Sequence, residues 1–220
     1  MPKTKRLLEL FCGTKSVGRE FETAGYEVIS LDYNPKFNAT HTVDILTWDY
    51  KQYSPDYFNV VWASPDCTTF SLASGGKYRT KTKIYGFDND TQPKATLGNN
   101  MILRLIEILK YFKADWFIEN PKALLIHFPP FKDFINEING YNTTVYYGNY
   151  NNWSFVKPTH IWANIPLWNE VKPELSADTY KYVVRSDGIR KRIYKGFQNS
   201  NAEIRSKIPP DLINRLIKLI

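Results

Sequence analysis

Apolar residues in this chain fall in short blocks separated by polar, turn-forming stretches. Arg6-Leu7-Leu8-Glu9-Leu10-Phe11 reads as a strand, the glycine-bounded stretch Cys12 to Gly18 as a turn, and Val17 to Ala24 as a helix stopped at Gly25. Tyr26 to Leu31 predicts a second strand ending in Asp32, Thr42 to Ile45 a short third, and Phe58 to Ala63 a fourth. From Ala95 to Phe112 the residues Leu97, Met101, Ile102, Leu105, Ile106, Ile108 and Leu109 recur at helical spacing, and Trp116 to Ile118 follows as a fifth strand. Phe131 to Ile138 predicts a further helix, with strands at Thr143 to Tyr147 and His160 to Ala163. Val183 to Ile189 predicts a hairpin turning at Asp187-Gly188. Pro209-Pro210-Asp211 opens a terminal amphipathic helix carrying Leu212, Ile213, Leu216, Ile217 and Ile220. Alternation of strand and helix predicts an α/β fold around a mostly parallel, doubly wound sheet.

Composition narrows this picture. At 220 residues and 43% hydrophobic content the chain fits one domain that buries a core without disulfides. Its two cysteines form no framework, which predicts a reducing, cytoplasmic setting. The start, Met1 to Arg6, leads into a run too short for a secretory leader, and no stretch reaches membrane-spanning length. His41, His127 and His160 are too scattered to predict a metal site. The net charge is +7, yet Lys77 to Lys83 holds four basic residues and Tyr180 to Lys195 six against Asp187, so the excess lies in two stretches. Such concentration is the footprint of a polyanion partner.

Ligands of open α/β sheets bind beyond the carboxyl ends of the strands. Gly13 and Gly18 flank the first turn, but Arg19-Glu20 stands where a triphosphate loop needs lysine and a hydroxyl residue, which argues against that class. Asp32 is a candidate acceptor for ribose hydroxyls, and Asp44-Ile45 for bracketing an adenine. Cys67 lies in Ser64-Pro65-Asp66-Cys67-Thr68-Thr69-Phe70-Ser71, directly after the fourth strand, and Glu119-Asn120-Pro121 follows the fifth. A thiol and a carboxyl launched from neighbouring strand ends suit covalent attack on a base with proton transfer to its ring. Asp66, beside the thiol, is expected to raise its pKa. The competing role for Glu119 is a structural carboxylate satisfied by backbone amides.

The run Leu8-Glu9-Leu10-Phe11-Cys12-Gly13, then Ser64 to Ser71, then Glu119-Asn120-Pro121 resembles the ordered motifs of the cytosine-C5 methyltransferase family, most closely the small versions encoded by phages. Lys157-Pro158-Thr159-His160-Ile161-Trp162 and Arg205 to Pro210 extend the resemblance over nearly the whole chain. It implies a Rossmann-like fold that binds S-adenosylmethionine through Phe11, Cys12, Gly13, Thr14, Ser16, Val17 and Gly18, with Asp32, Tyr33, Asp44, Ile45, Pro65 and Asn201 completing the site. It also implies that Cys67 attacks C6 of cytosine while Glu119 protonates N3, with Asn120 and Lys157 in the catalytic set and Ser64, Thr68 and Thr159 near the substrate.

The chain departs from the family pattern in four places. Asp66 and Thr68 replace a proline and a glutamine, Pro121 replaces a valine, and Phe155 stands where an arginine is usual, leaving Lys157 to substitute. The stretch from Ile165 to Asn199 is too short for a large target-recognition domain. The expected organisation is therefore one domain over 1–220: a catalytic core at 1–165, a short basic insertion at 166–199 and a C-terminal segment at 200–220 that packs back on the core. Lys181, Arg185, Arg190, Lys191 and Arg192, beside Tyr180, Tyr182 and Tyr194, form the expected recognition hairpin. Lys77, Arg79, Lys81 and Lys83 alternate, which in extended form presents one cationic face to a phosphate backbone. The leading substrate is DNA, acted on by a monomer. RNA or a free cytidine nucleotide, and a catalytically silent binding protein, are the alternatives.

Overall fold

The computed structural model describes residues 4–71, 78–79, 92–150, 156–173, 203 and 206–220, and the backbone of 180–184 and 190–194. Strand β1 (Arg6–Leu10) buries four successive side chains, the pattern of a strand covered on both faces. Helix α1 (Ser16–Thr23) follows and turns Val17, Gly18 and Phe21 inward. Then come β2 (Glu27–Asp32), β3 (His41–Thr42) and β4 (Val60–Ala63), the last wholly buried. Helix α2 (Pro93–Tyr111) starts on a proline, whose missing N–H is harmless in a first turn. Strand β5 (Asp115–Pro121), helix α3 (Pro129–Glu137), β6 (Tyr141–Tyr146) and β7 (Pro158–Ala163) complete the core. A separate antiparallel pair, β8 (Tyr180–Val184) and β9 (Arg190–Tyr194), precedes the terminal helix α4 (Pro210–Ile217).

Seven strands form one sheet in the order β3-β2-β1-β4-β5-β7-β6. All run parallel except β7, which is antiparallel to both β5 and β6. Side-chain alternation divides the interior in two. Leu8, Leu10, Val61, Ala63 and Ile118 face α2 and α3 together with Trp116, Phe131 and Trp162. Leu7, Val60, Trp62 and Phe117 face α1 and α4 with Phe21, Leu212, Ile213 and Leu216. The terminal helix is thus part of the core, and Asn214 Nδ2 donates to Glu20 Oε2 of α1 at 3.1 Å.

Several strand bounds differ from their sequence expectations, those of β3 and β5 most, while β6 starts at Tyr141, β7 at Pro158 and the hairpin strands at Tyr180 and Arg190. β3 ends at Thr42 because Asp44 Oδ1 accepts from the Leu46 amide at 3.0 Å and turns the chain, while Ile45 drops into the core at 3% exposure. β5 runs on to Pro121, since the antiparallel ladder with β7 pairs Glu119 with Ile161 and Pro121 with Thr159. The Asp187-Gly188 turn lies outside the described residues. Among the described residues no helix is long and apolar enough to cross a membrane.

Because Leu212 is fully buried, Leu212→Ala is expected to lower unfolding free energy by about 2–5 kcal/mol in denaturant titrations. Lys218→Ala, at the exposed C-cap of the same helix, is expected to change it by less than about 0.5 kcal/mol. Equal effects would show that α4 is not packed as described.

Candidate active site

The strand order reverses between β1 and β4, the position where an open sheet parts to admit a ligand. A cleft of about 460 Å³ lies there, walled by the turns that follow these two strands. A wider hollow of about 680 Å³ sits at the opposite ends of β4 and β5, near Asp56, Asn59, Asp115 and Asn164. That hollow carries no thiol, so the chemistry belongs to the smaller cleft.

After β1 the backbone enters the left-handed region three times, at Phe11 (φ 57°), Gly13 (φ 47°) and Lys15 (φ 56°). Only at Gly13 is that free of a Cβ penalty. The turn is tied down by the Cys12 amide donating to Leu31 O at 3.0 Å and the Gly13 amide donating to Asp32 Oδ2 at 3.0 Å. Asp32 Oδ1 accepts from the Asn34 amide as well, at 2.9 Å. The carboxylate thus holds the glycine turn and keeps lone pairs for a further donor. Gly18 lets α1 approach β1, since a Cβ there would lie 2.6 Å from Glu9 Oε2. Glu9 lines the cleft at 1% exposure, and among the described residues Oε2 has no hydrogen-bond partner. Burial drives its carboxyl up to about 8, with the amides of Gly18 and Val17 opposing.

After β4 the chain turns through Pro65 to a half-buried Cys67. Asn120 Nδ2, from β5, donates to Pro65 O at 3.0 Å and fixes this turn. Asp66 Oδ1 accepts from the Thr68 amide at 2.9 Å and the Thr68 hydroxyl at 2.6 Å. Trp62 Nε1 donates to Ser64 Oγ at 2.9 Å. Glu119 emerges from β5 at 6% exposure, and its Oε1 accepts from the Tyr147 hydroxyl at 2.9 Å, with Lys157 Nζ 3.6 Å away. From the other side Ser16 Oγ accepts the Ile208 amide at 3.2 Å, so Ser206 and Ile208 of the C-terminal segment close the cleft wall.

The cleft brings together Phe11, Cys12, Gly13, Thr14, Ser16, Val17, Ser64, Pro65, Cys67, Glu119 and Lys157 from the sequence-predicted set. Others are placed differently. Ile45 is a core residue, Tyr33 is 72% exposed, and Asp44 caps its own turn. Asn120 acts on the Pro65 turn, and the Thr68 hydroxyl is engaged by Asp66. Thr159 is fully buried, and its hydroxyl donates to Lys157 O at 3.1 Å. Arg79 corrects the expected cationic row. It is 5% exposed and donates to Thr69 O at 2.8 Å, Thr69 Oγ1 at 3.0 Å and Asn99 Oδ1 at 2.9 Å. Its guanidinium also lies 4.0 Å from the centre of the Phe70 ring. A planar fork with five donors is satisfied better there than on a solvated phosphate face. Lys77, Lys81, Lys83, Arg185 and Asn201 lie outside the described residues, as do the side chains of Lys181, Arg190, Lys191 and Arg192. Glu9 and Tyr147 were not singled out as site residues from sequence. Glu9 had one signal, a carboxyl interrupting an apolar strand; Tyr147 had none.

No family model matches the chain. A probable DNA (cytosine-5)-methyltransferase of Frog virus 3 (isolate Goorha) is 28% identical over 234 residues, covering 97% of this chain and 99% of the viral protein. The chain is thus similar to a cytosine-C5 methyltransferase over nearly its whole length. Among solved structures, the Entamoeba histolytica methyltransferase EhMeth matches with TM-score 0.51 at 18% identity, over 79% of this chain and 58% of that one. The S. pombe Dnmt2 methyltransferase matches with TM-score 0.47 at 15% identity, over 75% and 51%. The chain thus spans a little over half the length of these two. Its fold is the Rossmann-like fold of S-adenosylmethionine-dependent methyltransferases.

In the cleft the Cys67 thiol is pushed up to about 11, first by burial, then by the Glu119 carboxylate and Asp66, with Lys157 pulling the other way. At pH 8 only about one thiol in a thousand is then ionised. Cys12 is pushed further, to about 12, chiefly by burial. Alkylation of Cys67 by a neutral reagent in a Cys12→Ser background is therefore expected to stay slow at pH 8 and to climb toward pH 11. Glu119→Gln removes a like charge and is expected to move that limb to lower pH. A limb that does not move would show that the two groups are not coupled.

Proposed function

We propose that the chain transfers a methyl group from S-adenosylmethionine to C5 of cytosine in DNA through a covalent adduct between Cys67 and C6. The observation that carries this reading is the shared cleft: Cys67 and Glu119 line one end of a cavity whose other end is the Phe11 to Val17 turn. DNA is favoured as substrate by the full-length likeness to the viral protein, a probable DNA (cytosine-5)-methyltransferase.

The residues present fit the cofactor. A carboxyl oxygen buried without a partner, Glu9 Oε2, is an electrostatic vacancy for a cation at the cleft wall. Glu9, the Phe11 to Ser16 backbone, Asp32 and Pro65 would hold the group, and Ile208 would cover it. When bound, S-adenosylmethionine supplies an electrophilic methyl group.

The chain's own residues prepare the ring. An aromatic pyrimidine is a poor carbon nucleophile, and a transient bond to C6 from the Cys67 thiolate, formed once the thiol has lost its proton to solvent, divides one hard step into easier ones. As that bond forms, Glu119 gives a proton to N3, so the electron pair displaced from the C5–C6 double bond makes C5 nucleophilic. After substitution at C5, water takes the C5 proton, the electron pair of that C–H bond re-forms the C5–C6 double bond as the thiolate leaves C6, and N3 returns its proton to Glu119. Asn120 contributes by fixing the Pro65 carbonyl, and with it the direction in which Cys67 points. In duplex DNA the base has to leave the stack, at a cost of a few kcal/mol, and the remaining basic residues of 77–83, without Arg79, and those of 180–195 are the candidates for compensating phosphate contacts.

Incubation with labelled S-adenosylmethionine and duplex DNA, RNA or cytidine monophosphate is expected to label DNA, and Cys67→Ala is expected to abolish the label. DNA carrying 5-fluorocytosine is expected to be trapped covalently by the wild-type protein alone. Label only in RNA or the nucleotide would reassign the substrate, and a trapped complex in Cys67→Ala would remove the nucleophile. Separately, Glu9→Gln is expected to weaken cofactor binding by calorimetry roughly 10- to 100-fold, the range for a hydrogen bond to a charged group. Unchanged affinity would remove Glu9 from the site.

A further inference from the structure

We propose that Tyr147 is a positioning residue that holds the carboxyl of Glu119 by Oε1, so that Oε2 is the oxygen that carries the proton to the base. The inference rests on the function proposed above and deepens it. Tyr147 directly follows β6, which is separated from β5 by β7, and the two ladders set the approach: Glu119 pairs with Ile161, and Tyr146 with Pro158. Lys157, immediately before β7, therefore reaches both the tyrosine and the glutamate.

Tyr147 is fully buried, and a phenol carries a single O–H to donate. That proton goes to Glu119 Oε1 at 2.9 Å. The Lys157 ammonium is 3.6 Å from the same oxygen, an ion-pair contact rather than a hydrogen bond, and 4.4 Å from the centre of the Tyr147 ring. Oε1 thus faces a hydroxyl proton and a cation. A carboxylic acid carrying its own proton on Oε1 would turn it toward both, whereas on Oε2 it meets neither. Among the described residues Oε2 accepts no hydrogen bond, and Glu119 lines the cleft.

Lys157 itself is held under strain, with φ at 26°, a value rarely adopted by residues other than glycine. It persists because Lys122 N donates to Pro158 O at 2.9 Å and Thr159 Oγ1 to Lys157 O at 3.1 Å. At this carboxyl the lysine provides charge without fixed direction, and the phenol provides direction without charge.

Tyr147→Phe keeps the ring beneath the ammonium and deletes only the donor. It is expected to lower kcat for methyl transfer roughly 10- to 100-fold, as a misplaced catalytic group does, with KM for DNA and cofactor changed less than about twofold. Unchanged kcat, or a raised KM with kcat intact, would overturn the proposal. A readout independent of turnover is Cys67 alkylation in the Cys12→Ser background. Freed from the phenol, the Glu119 carboxylate moves off the thiol, so the alkaline limb is expected to shift down, part of the way to that of Glu119→Gln. A limb identical to that of the parent would also overturn the proposal. A parent protein that methylates nothing sinks the enzymatic reading, while the alkylation comparison still decides whether Tyr147 places the carboxyl.

Discussion

A carboxyl group at the buried end of a strand is destabilising unless it is matched by donors and charge, and Glu119 meets this constraint in one place only. Its Oε1 is set against Tyr147 and Lys157, brought there by a strand that runs against the direction of the rest of the sheet. Reversal of β7 is what allows both ends of its connection from β6 to arrive at the carboxyl end of β5. In a wholly parallel sheet Lys157 would begin its strand at the opposite edge, far from the thiol. The antiparallel strand is therefore a requirement of the site.

The same logic orders the remainder of the cleft. Asn120, one residue beyond the acid, points to the other side of the sheet and grips the Pro65 carbonyl, so β5 supplies both the acid and the clamp on the nucleophile's turn. Beyond Cys67, Arg79 clamps Thr69 to the start of α2 by its bond to Asn99 and lies over Phe70. The chain therefore leaves the nucleophile through a second fixed point. Gly98 belongs to this arrangement, since a Cβ there would lie 2.6 Å from Thr69 Oγ1. Rigid anchorage on both sides of a nucleophile limits the positions its sulfur can explore, which is the geometric part of catalysis.

Much of this was legible in the chain because it rests on local pattern. Apolar blocks marked the strands, and strand ends marked Cys67 and Glu119 as neighbours, since consecutive parallel strands present their carboxyl ends together. Residues whose role depends on strand order were not legible. Tyr147 meets Glu119 across β7, and no local pattern encodes that a strand reverses. Arg79 shares the alternating run Lys77, Lys81 and Lys83, so spacing placed it on a cationic face, but the vacancy beside Thr69 and Asn99 decides its position. Asp44 and Ile45 show the same limit: a carboxylate two residues before an open amide caps its own turn, and the isoleucine after it follows the turn into the core.

Two glutamates in one cleft, with opposite surroundings, divide the work between its ends. Glu119 has a donor and a cation against one oxygen, and so has its direction settled before any substrate arrives. Glu9 has one oxygen, Oε2, that meets no donor among the described residues, and burial lifts its carboxyl to about 8 against the amides of Gly18 and Val17 and the charge of Lys15. Because its folded value lies above the ordinary one, Glu9 favours the folded state most at low pH. That contribution declines as pH rises past the ordinary carboxylate range, until the group ionises in the fold as well. A cation entering beside Oε2 would reverse the imbalance, so the site is destabilised by the same group that makes it selective for positive charge. Gly18 maintains this arrangement by leaving room for the carboxylate, since a Cβ there would lie 2.6 Å from Oε2. Environment, not residue type, separates a glutamate that directs a proton from one that waits for a positively charged ligand.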